Sequence, residues 1–193
     1  LTPLGRQVLS QANHILQASE GLERLAQDQG SGRRSLSFGV IPTIAPYLLP
    51  GLLAQLRARD LQLQVDIREA RTERLLQALQ AGQLDVALMA LPSGGSDLIE
   101  EELFRDHFLL AGSNMRLAQM QLSQPEISPQ DLRKEQLMLL EDGHCLTDQA
   151  LEVCGMQRGS AGINMGAGSL ATLSRLVAAG FGLTLMPELA VQS

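Results

Sequence analysis

The chain has 193 residues, of which 45% are hydrophobic, 19% are charged and 3% are aromatic, and its formal net charge is −6. This length and composition are typical of one globular unit or two small lobes with an aliphatic core. The acidic balance argues against nucleic-acid binding through a broad basic face of this segment. No run of about 18 apolar residues indicates a membrane span, and we expect no membrane contact.

An amphipathic helix is predicted over residues 3–27, because Val8, Ile15 and Leu22 recur every seven residues. A single apolar stripe ahead of a domain favours pairing with a second helix, and packing against its own domain is the alternative. Residues 29–34 contain Gly, Ser and Arg, which is typical of a linker.

The next part of the chain alternates between strand and helix patterns, which predicts a parallel sheet flanked by helices. The predicted elements are a strand over 36–41, a helix over 43–59, a strand over 61–67, a helix over 71–81 and a strand over 84–90. Thr43 and Thr72 follow the first two strands, at the edge where open parallel sheets bind ligands. Each threonine could instead cap the helix that follows it.

Residues 91–97 break this pattern, and a second lobe is predicted to begin near residue 101. Its predicted elements are a strand over 103–111, helices over 128–134, 145–154 and 169–179, and strands over 136–140 and 182–186. Residues 159–168 are rich in glycine but carry no phosphate-binding motif, so a loop is predicted there. Ser169 is expected to cap the helix that it begins.

The two cysteines, Cys145 and Cys154, are nine positions apart in a segment with helical spacing. On an intact helix their Cα atoms would lie roughly 13–14 Å apart, whereas a disulfide needs about 7 Å or less. A reversible disulfide would therefore unwind the segment, which makes the pair a candidate switch. A cysteine at a helix start can have a lowered pKa and react with peroxide; inert buried thiols are the alternative.

A metal site is a weaker interpretation, and we expect no metal or cofactor. The cysteine spacing differs from common zinc spacings, and His144 adds only one adjacent ligand. The sequence contains no C-x-x-C redox motif. With no secretory leader visible, two cysteines favour a reducing, cytoplasmic compartment where a disulfide is transient.

Four stretches resemble LysR-type transcriptional regulators, and the resemblance covers essentially the whole chain. Residues 1–5 (LTPLG) are similar to the junction after their winged helix-turn-helix, and residues 39–50 (GVIPTIAPYLLP) to the start of their regulatory domain. Residues 139–150 (LLEDGHCLTDQA), with Cys154 beyond, are similar to the hydrogen-peroxide sensors of the family, and residues 177–187 (VAAGFGLTLMP) match a late helix and strand.

The resemblance implies an α/β fold: a two-lobed, periplasmic-binding-protein-like regulatory domain preceded by a linker and dimerisation helix. Residues 1–30 would be that helix, following a DNA-binding domain outside this sequence. Residues 31–98 and 169–193 would form lobe I, and residues 99–168 would form lobe II with the cysteines.

The resemblance also assigns roles to single residues. Cys145 would be the peroxidatic cysteine and Cys154 the resolving one, while Thr43, Thr72, His144 and Asp148 would shape the peroxide pocket. The implied partners are hydrogen peroxide, a homodimer or homotetramer, promoter DNA, RNA polymerase, and thiol reductants such as glutaredoxin or thioredoxin.

Two features depart from the family pattern. Gly166 and Gly168 stand where the family usually has bulkier polar residues, and the chain ends before the usual family C-terminus. The function expected is a peroxide-switched regulatory domain that is not an enzyme. The alternatives are an effector domain that binds a small molecule between its lobes and a thiol peroxidase with turnover.

Overall fold

The computed structural model describes residues 1–9, 11–12, 15–16, 19, 22, 35–95, 98–123, 128–129, 132, 137–157 and 166–192. The chain forms two compact units, Leu1–Leu98 and Ile99–Ser193. None of the helices in these described ranges is sufficiently long and apolar to cross a membrane.

The described residues between 3 and 22 are helical, as predicted. Their apolar side chains are largely exposed: Leu4 by 69%, Val8 by 59%, Ile15 by 69% and Leu22 by 70%. The apolar stripe of this helix is therefore uncovered in the single chain. The predicted linker, residues 29–34, lies outside the described residues.

The first unit contains the predicted β-α-β-α-β sequence. Its elements are β1 (Ser35–Val40), α1 (Ala45–Arg59), β2 (Gln64–Glu69), α2 (Thr72–Gln80) and β3 (Val86–Leu88). The three strands form a parallel sheet in the order β2-β1-β3. β2 begins three residues later than predicted, because the Asp60 carboxylate accepts the Gln62 N–H at 2.9 Å and holds a turn there.

Helix α2 packs close to β1 because Gly39 leaves room for it. A Cβ atom at Gly39 would lie 2.7 Å from Leu84 Cδ1 and 2.9 Å from Leu75 Cδ2. Leu75 and Ala78, one helical turn apart, are the buried residues of α2. Gly39 thus allows α2 to pack closely against β1, which sets the position of Thr72 at the start of α2.

The second unit combines a two-stranded sheet with helices. Its elements are β4 (Phe108–Gly112), α3 (Asn114–Ser123), α4 (Cys145–Val153), α5 (Leu170–Ala178), β5 (Leu183–Pro187) and α6 (Glu188–Val191). β4 and β5 pair antiparallel, with Phe108 opposite Pro187 and Gly112 opposite Leu183. On the other side of β5, Leu137 forms a bridge with Leu183, and Met138 N–H donates to the Leu183 carbonyl at 2.7 Å.

One domain boundary was wrong. Residues 169–193 were expected to complete lobe I, but β5 pairs with β4 and the second unit extends through this segment. All five residues of β5 are buried, and an apolar strand buried on both faces carries no sequence signal for which sheet it joins.

Two predicted elements of the second unit differ from the structure, and a third lies mostly outside the described residues. The strand predicted over 103–111 is β4, which begins only at Phe108, and residues 101–107 are irregular and exposed. Among residues 137–140 the described pairings are isolated bridges at Leu137 and Leu140 rather than a continuous strand. Most of the helix predicted over 128–134 lies outside the described residues.

A candidate redox site on helix α4

Cys145 is the first residue of α4, and the chain reaches it through a tight turn. Gly143 has a φ of 92°, in the left-handed region that favours glycine. His144 follows as the N-cap residue, with extended backbone angles and 6% exposure. Cys145 is only partly buried, so the turn delivers a cysteine to the helix start without sealing it in the core.

The start of a helix favours negative charge. Backbone N–H groups point outward at the start of a helix, and their dipoles attract an anion. A thiolate at Cys145 would benefit from this environment. Asp148 is the acidic residue of the same turn; because its side chain is exposed, water and salt weaken its repulsion of a nearby thiolate.

Thr147 fastens this first turn to the preceding segment. Its Oγ1 donates a buried hydrogen bond to the Leu140 carbonyl at 3.0 Å, and its backbone N–H donates to the His144 carbonyl at 3.0 Å. Thr147 was not predicted as a site residue, since no sequence pattern reveals the acceptor of a threonine three positions after an N-cap residue.

Cys154 is the C-cap residue of α4, and a Schellman motif ends the helix there. Gly155, with φ at 62°, donates its N–H to the Glu152 carbonyl at 3.0 Å. Met156 donates its N–H to the Leu151 carbonyl at 2.8 Å. The predicted helix over 145–154 is therefore confirmed, with His144 as its N-cap residue and Cys154 as its C-cap residue.

Cys154 belongs to the hydrophobic core of the second unit, with 5% exposure. The other buried members of its cluster are Leu132, Leu137, Ala150, Leu183 and Leu185. Burial raises the pKa of the Cys154 thiol, because an apolar surrounding disfavours the charged thiolate. Cys154 is thus held as a neutral thiol, in contrast to the more open Cys145.

Neither cysteine is in a disulfide, and the intact helix keeps the two thiols apart. Nine residues at 1.5 Å each separate their Cα atoms by roughly 13–14 Å, beyond the reach of a disulfide. In this conformation the two sulfurs cannot bond to each other.

Thr43 and Thr72 lie at the same edge of the parallel sheet in the first unit. Thr43 follows β1 and Thr72 follows β2, and Ala70 N–H donates to the Val40 carbonyl at 3.1 Å between the two strand ends. Thr43 is 5% exposed. The Thr72 hydroxyl is buried and has no hydrogen-bond partner among the described residues.

The capping interpretation of these two threonines is wrong. The N-cap residues are Ile44 for α1 and Arg71 for α2, and neither helix has a side-chain cap. At Ser169 capping is confirmed, because its Oγ accepts the Thr172 N–H at 3.2 Å. A buried, unpartnered hydroxyl at the carboxyl edge of a parallel sheet instead fits a ligand contact.

Gly166 and Gly168 both face Glu141. A Cβ at Gly166 would lie 3.2 Å from Glu141 Cα, and one at Gly168 would lie 3.6 Å from a Glu141 carboxylate oxygen. Ala167 between them forms a parallel bridge with Leu140. The glycines therefore let this strand-like segment approach the loop that leads to Cys145.

The structure brings the expected site residues together in two groups. His144, Cys145, Asp148 and Cys154 lie on or beside α4 in the second unit, while Thr43 and Thr72 lie together in the first. In the described ranges, no group of three or more His, Cys, Asp or Glu residues could hold a metal ion.

These features define a mixed α/β domain with a dithiol helix, and the chain belongs to the LysR family of transcriptional regulators. The family description "LysR substrate binding domain" matches residues 29–193. The predicted fold class is thereby confirmed.

Within the family, the chain is similar to OxyR proteins. It is 38% identical to the DNA-binding transcriptional dual regulator OxyR of Escherichia coli K12, over 98% of this chain and 62% of the relative. A solved mutant regulatory domain of OxyR2 from Vibrio vulnificus matches with a TM-score of 0.73 and 36% identity, over 83% of this chain and 75% of that one. The reduced form of the OxyR2 regulatory domain from the same organism matches with a TM-score of 0.70 and 36% identity, over 83% and 74%.

The curated relatives are longer than this chain, which spans 62% of the length of those in Dickeya chrysanthemi and Escherichia coli. The resemblance of the chain to a peroxide-sensor subgroup is nevertheless confirmed, because matched relatives and structures carry the OxyR and hydrogen-peroxide-inducible names.

Proposed function

We propose that this chain is the regulatory domain of a peroxide-responsive transcription factor, switched by a reversible disulfide between Cys145 and Cys154. The observation that carries the proposal is the placement of two cysteines, not joined by a disulfide, at opposite ends of one intact helix. One thiol is accessible at an anion-stabilising helix start, and its partner is stored in the core.

The proposed chemistry has two steps. The Cys145 thiolate attacks one peroxide oxygen, an S–O bond forms, the O–O bond breaks, and the departing hydroxide becomes water on protonation. The Cys154 thiol then attacks the sulfenic sulfur, the S–S bond forms, and a second water leaves. The two sulfurs together lose two electrons, which one peroxide molecule accepts.

Disulfide formation requires α4 to unwind, because the sulfurs cannot meet across its length. The Schellman motif at Gly155 must open, and Cys154 must leave its cluster with Leu183 and Leu185. A dithiol reductant such as glutaredoxin or thioredoxin would return the chain to the helical state by thiol–disulfide exchange.

We further propose that Thr43, Thr72, His144 and Asp148 bind the peroxide that reaches Cys145. In the first unit the support is the unpartnered, buried Thr72 hydroxyl beside Thr43. In the second unit it is the position of His144 and Asp148 on either side of Cys145 at the helix start.

The partners of the whole protein follow from the same proposal. The exposed apolar stripe of the N-terminal helix, which includes Leu4, Ile15 and Leu22, supports a homodimer or homotetramer. The name of the Escherichia coli relative, a DNA-binding transcriptional dual regulator, supports DNA binding by the whole protein. In the proposal, a winged helix-turn-helix binds promoter DNA, and RNA polymerase responds, in the cytoplasm. One oxidation per chain is sufficient for signalling, so the chain acts as a sensor rather than an enzyme.

A stoichiometric peroxide pulse tests the proposal. We expect mass spectrometry to find a Cys145–Cys154 disulfide in the wild type and none in Cys145→Ser. Hydrogen exchange should become faster across residues 145–156 in the oxidised chain only. Equal oxidation of the wild type and Cys145→Ser, or unchanged exchange across the helix, would refute the switch.

A second candidate is an effector domain that binds a small molecule, with incidental cysteines. The unpartnered Thr72 hydroxyl also fits this function, as does the LysR substrate binding domain match. Calorimetry with candidate metabolites, with and without reductant, separates the two functions. Saturable binding that is independent of redox state, without a peroxide-driven disulfide, would favour the effector domain.

A further inference from the structure

A buried hydrogen bond joins residues 140 and 147 and closes the loop that carries His144 and Cys145. Thr147 Oγ1 donates to the Leu140 carbonyl at 3.0 Å, and the Thr147 side chain is 5% exposed. The bond thus spans from the third helical residue of α4 back to the segment before the loop. Because His144 and Cys145 lie between its two ends, the position of each depends on it.

Leu140 is a fixed point because its neighbours are bonded on the opposite side. Glu141 N–H donates to the Ala167 carbonyl at 3.0 Å, and Ala167 N–H donates to the Leu139 carbonyl at 3.2 Å. Two residues earlier, Met138 N–H donates to Leu183 of β5 at 2.7 Å. The Thr147 hydroxyl therefore ties the start of α4 to the sheet of the second unit.

We propose that Thr147 is a positioning residue for the oxidation of Cys145, an inference that rests on the proposed function. In that reaction the Cys145 sulfur donates an electron pair to one peroxide oxygen, the S–O bond forms and hydroxide leaves along the O–O axis. The attack needs the sulfur within about 3–3.5 Å of that oxygen and aligned with the bond that breaks. The Thr147 bond to Leu140 holds the first turn of α4 where this alignment is available.

The same bond resists the second step. When α4 unwinds to let Cys154 reach Cys145, the first turn has to part from Leu140. Thr147 thus favours the attack on peroxide while it stabilises the reduced helix against disulfide formation.

The test uses the rate constant for sulfenic acid formation at Cys145, with Cys154→Ala in the background so that the first step is seen alone. Thr147→Val removes the hydroxyl and keeps the branched shape, and Thr147→Ser keeps the hydroxyl. We expect Thr147→Val to slow the reaction with hydrogen peroxide by about tenfold or more, and Thr147→Ser to stay within about threefold of the parent. Alkylation by iodoacetamide, measured in parallel, should change by less than about twofold, because it needs an accessible thiolate but no peroxide alignment.

Thr184→Val is the matched control. Thr184 is a buried threonine of the same unit, 1% exposed, but it lies on β5 outside the loop. Its variant should be destabilised without loss of peroxide rate. If Thr147→Val does not fold, Thr147→Ser still decides, because a tenfold slower rate with the hydroxyl retained would overturn the proposal.

The outcomes separate the two levels of inference. If the parent reacts quickly and Thr147→Val reacts equally quickly, or if Thr184→Val is slowed as much as Thr147→Val, the positioning role is refuted while the peroxide switch stands. If the parent itself reacts no faster than free cysteine, the proposed function is refuted and the role of Thr147 is refuted with it.

Discussion

Gly155 and Gly82 end two helices in different units with the same backbone geometry. Their φ angles are 62° and 66°, and each is followed by a residue whose N–H closes a Schellman motif: Met156 to Leu151 and Gln83 to Ala78, both at 2.8 Å. A Cβ atom would meet nothing within 4 Å at either glycine. A substitution at either glycine therefore tests the free-energy cost of a left-handed backbone with a side chain, without a steric clash.

Alanine substitutions at these two positions should distinguish an effect on the free energy of unfolding from an effect on the midpoint potential of the disulfide. We expect Gly155→Ala and Gly82→Ala each to lower the free energy of unfolding by about 1–2 kcal/mol, the cost of a left-handed residue with a side chain. In the proposed switch α4 unwinds on oxidation, and only Gly155→Ala strains that helix, so only this variant should favour the disulfide. Its midpoint potential should become more negative by about 20–40 mV.

Equilibration in glutathione buffers measures that potential, and urea unfolding of the reduced chains measures the stability. A shift of equal size in Gly82→Ala would show that the redox poise follows global stability rather than the end of α4.

Removing the Thr72 hydroxyl should slow the oxidation of Cys145 without lowering the free energy of unfolding. The hydroxyl is buried without a described partner, so Thr72→Val removes a desolvation penalty of about 1–3 kcal/mol and should leave stability unchanged or raised. If that hydroxyl binds peroxide, oxidation of Cys145 should nevertheless slow. Thermal unfolding and peroxide kinetics on the same sample make the comparison. A stability loss of more than about 1 kcal/mol would show that the hydroxyl has a partner within the chain.

The choice of replacement at Cys154 should matter for the reduced protein. Cys154 packs with Leu137, Leu183 and Leu185, so Cys154→Ser places a hydroxyl in an apolar cluster and should cost about 1–3 kcal/mol. Cys154→Ala loses only the sulfur contacts and should cost less. If Cys154 is the resolving thiol, both variants should accumulate Cys145 sulfenic acid after peroxide. Urea unfolding and dimedone labelling measure the two effects; greater stability of the serine variant would contradict the apolar assignment.

Alkaline pH should destabilise the reduced second unit through Cys154. Burial raises the pKa of this thiol in the folded state, so the unfolded state loses its proton first. The contribution of the neutral thiol is complete below the ordinary thiol pKa of about 8.5. It is lost as the pH rises from there through the raised folded pKa. We expect the stability difference between the wild type and Cys154→Ala to shrink over that window, measured by urea unfolding at a series of pH values. A constant difference would mean that Cys154 is not desolvated.

Local patterns were sufficient to predict the elements of the first unit and helix α4. Alternating apolar residues and Gly82 after the second helix indicate the β-α-β-α-β order. The spacing between Cys145 and Cys154 correctly predicts that they lie at opposite ends of a helix. These features depend on short-range backbone preferences, which the sequence displays directly.

Contacts between residues far apart in the sequence could not be predicted from local patterns. The apolar residues of β5 fit either sheet by composition, and only the pairing with β4 decides. The acceptor of Thr147 is a backbone carbonyl seven residues away, and every residue offers such a carbonyl. Thr72 does not cap α2 because the N-cap residue is Arg71, one position earlier. Sequence propensities do not define the start of a helix to within one residue.

The core position of Cys154 would give this one side chain two roles in the second unit. Its sulfur contributes to the interior beside Leu183 and Leu185, and in the proposed switch it also forms the new bond with Cys145. Oxidation would therefore remove one side chain from the packing around β5 as the disulfide forms. The structural change at β5 would then result directly from the reaction, without intermediate residues to transmit it from the helix.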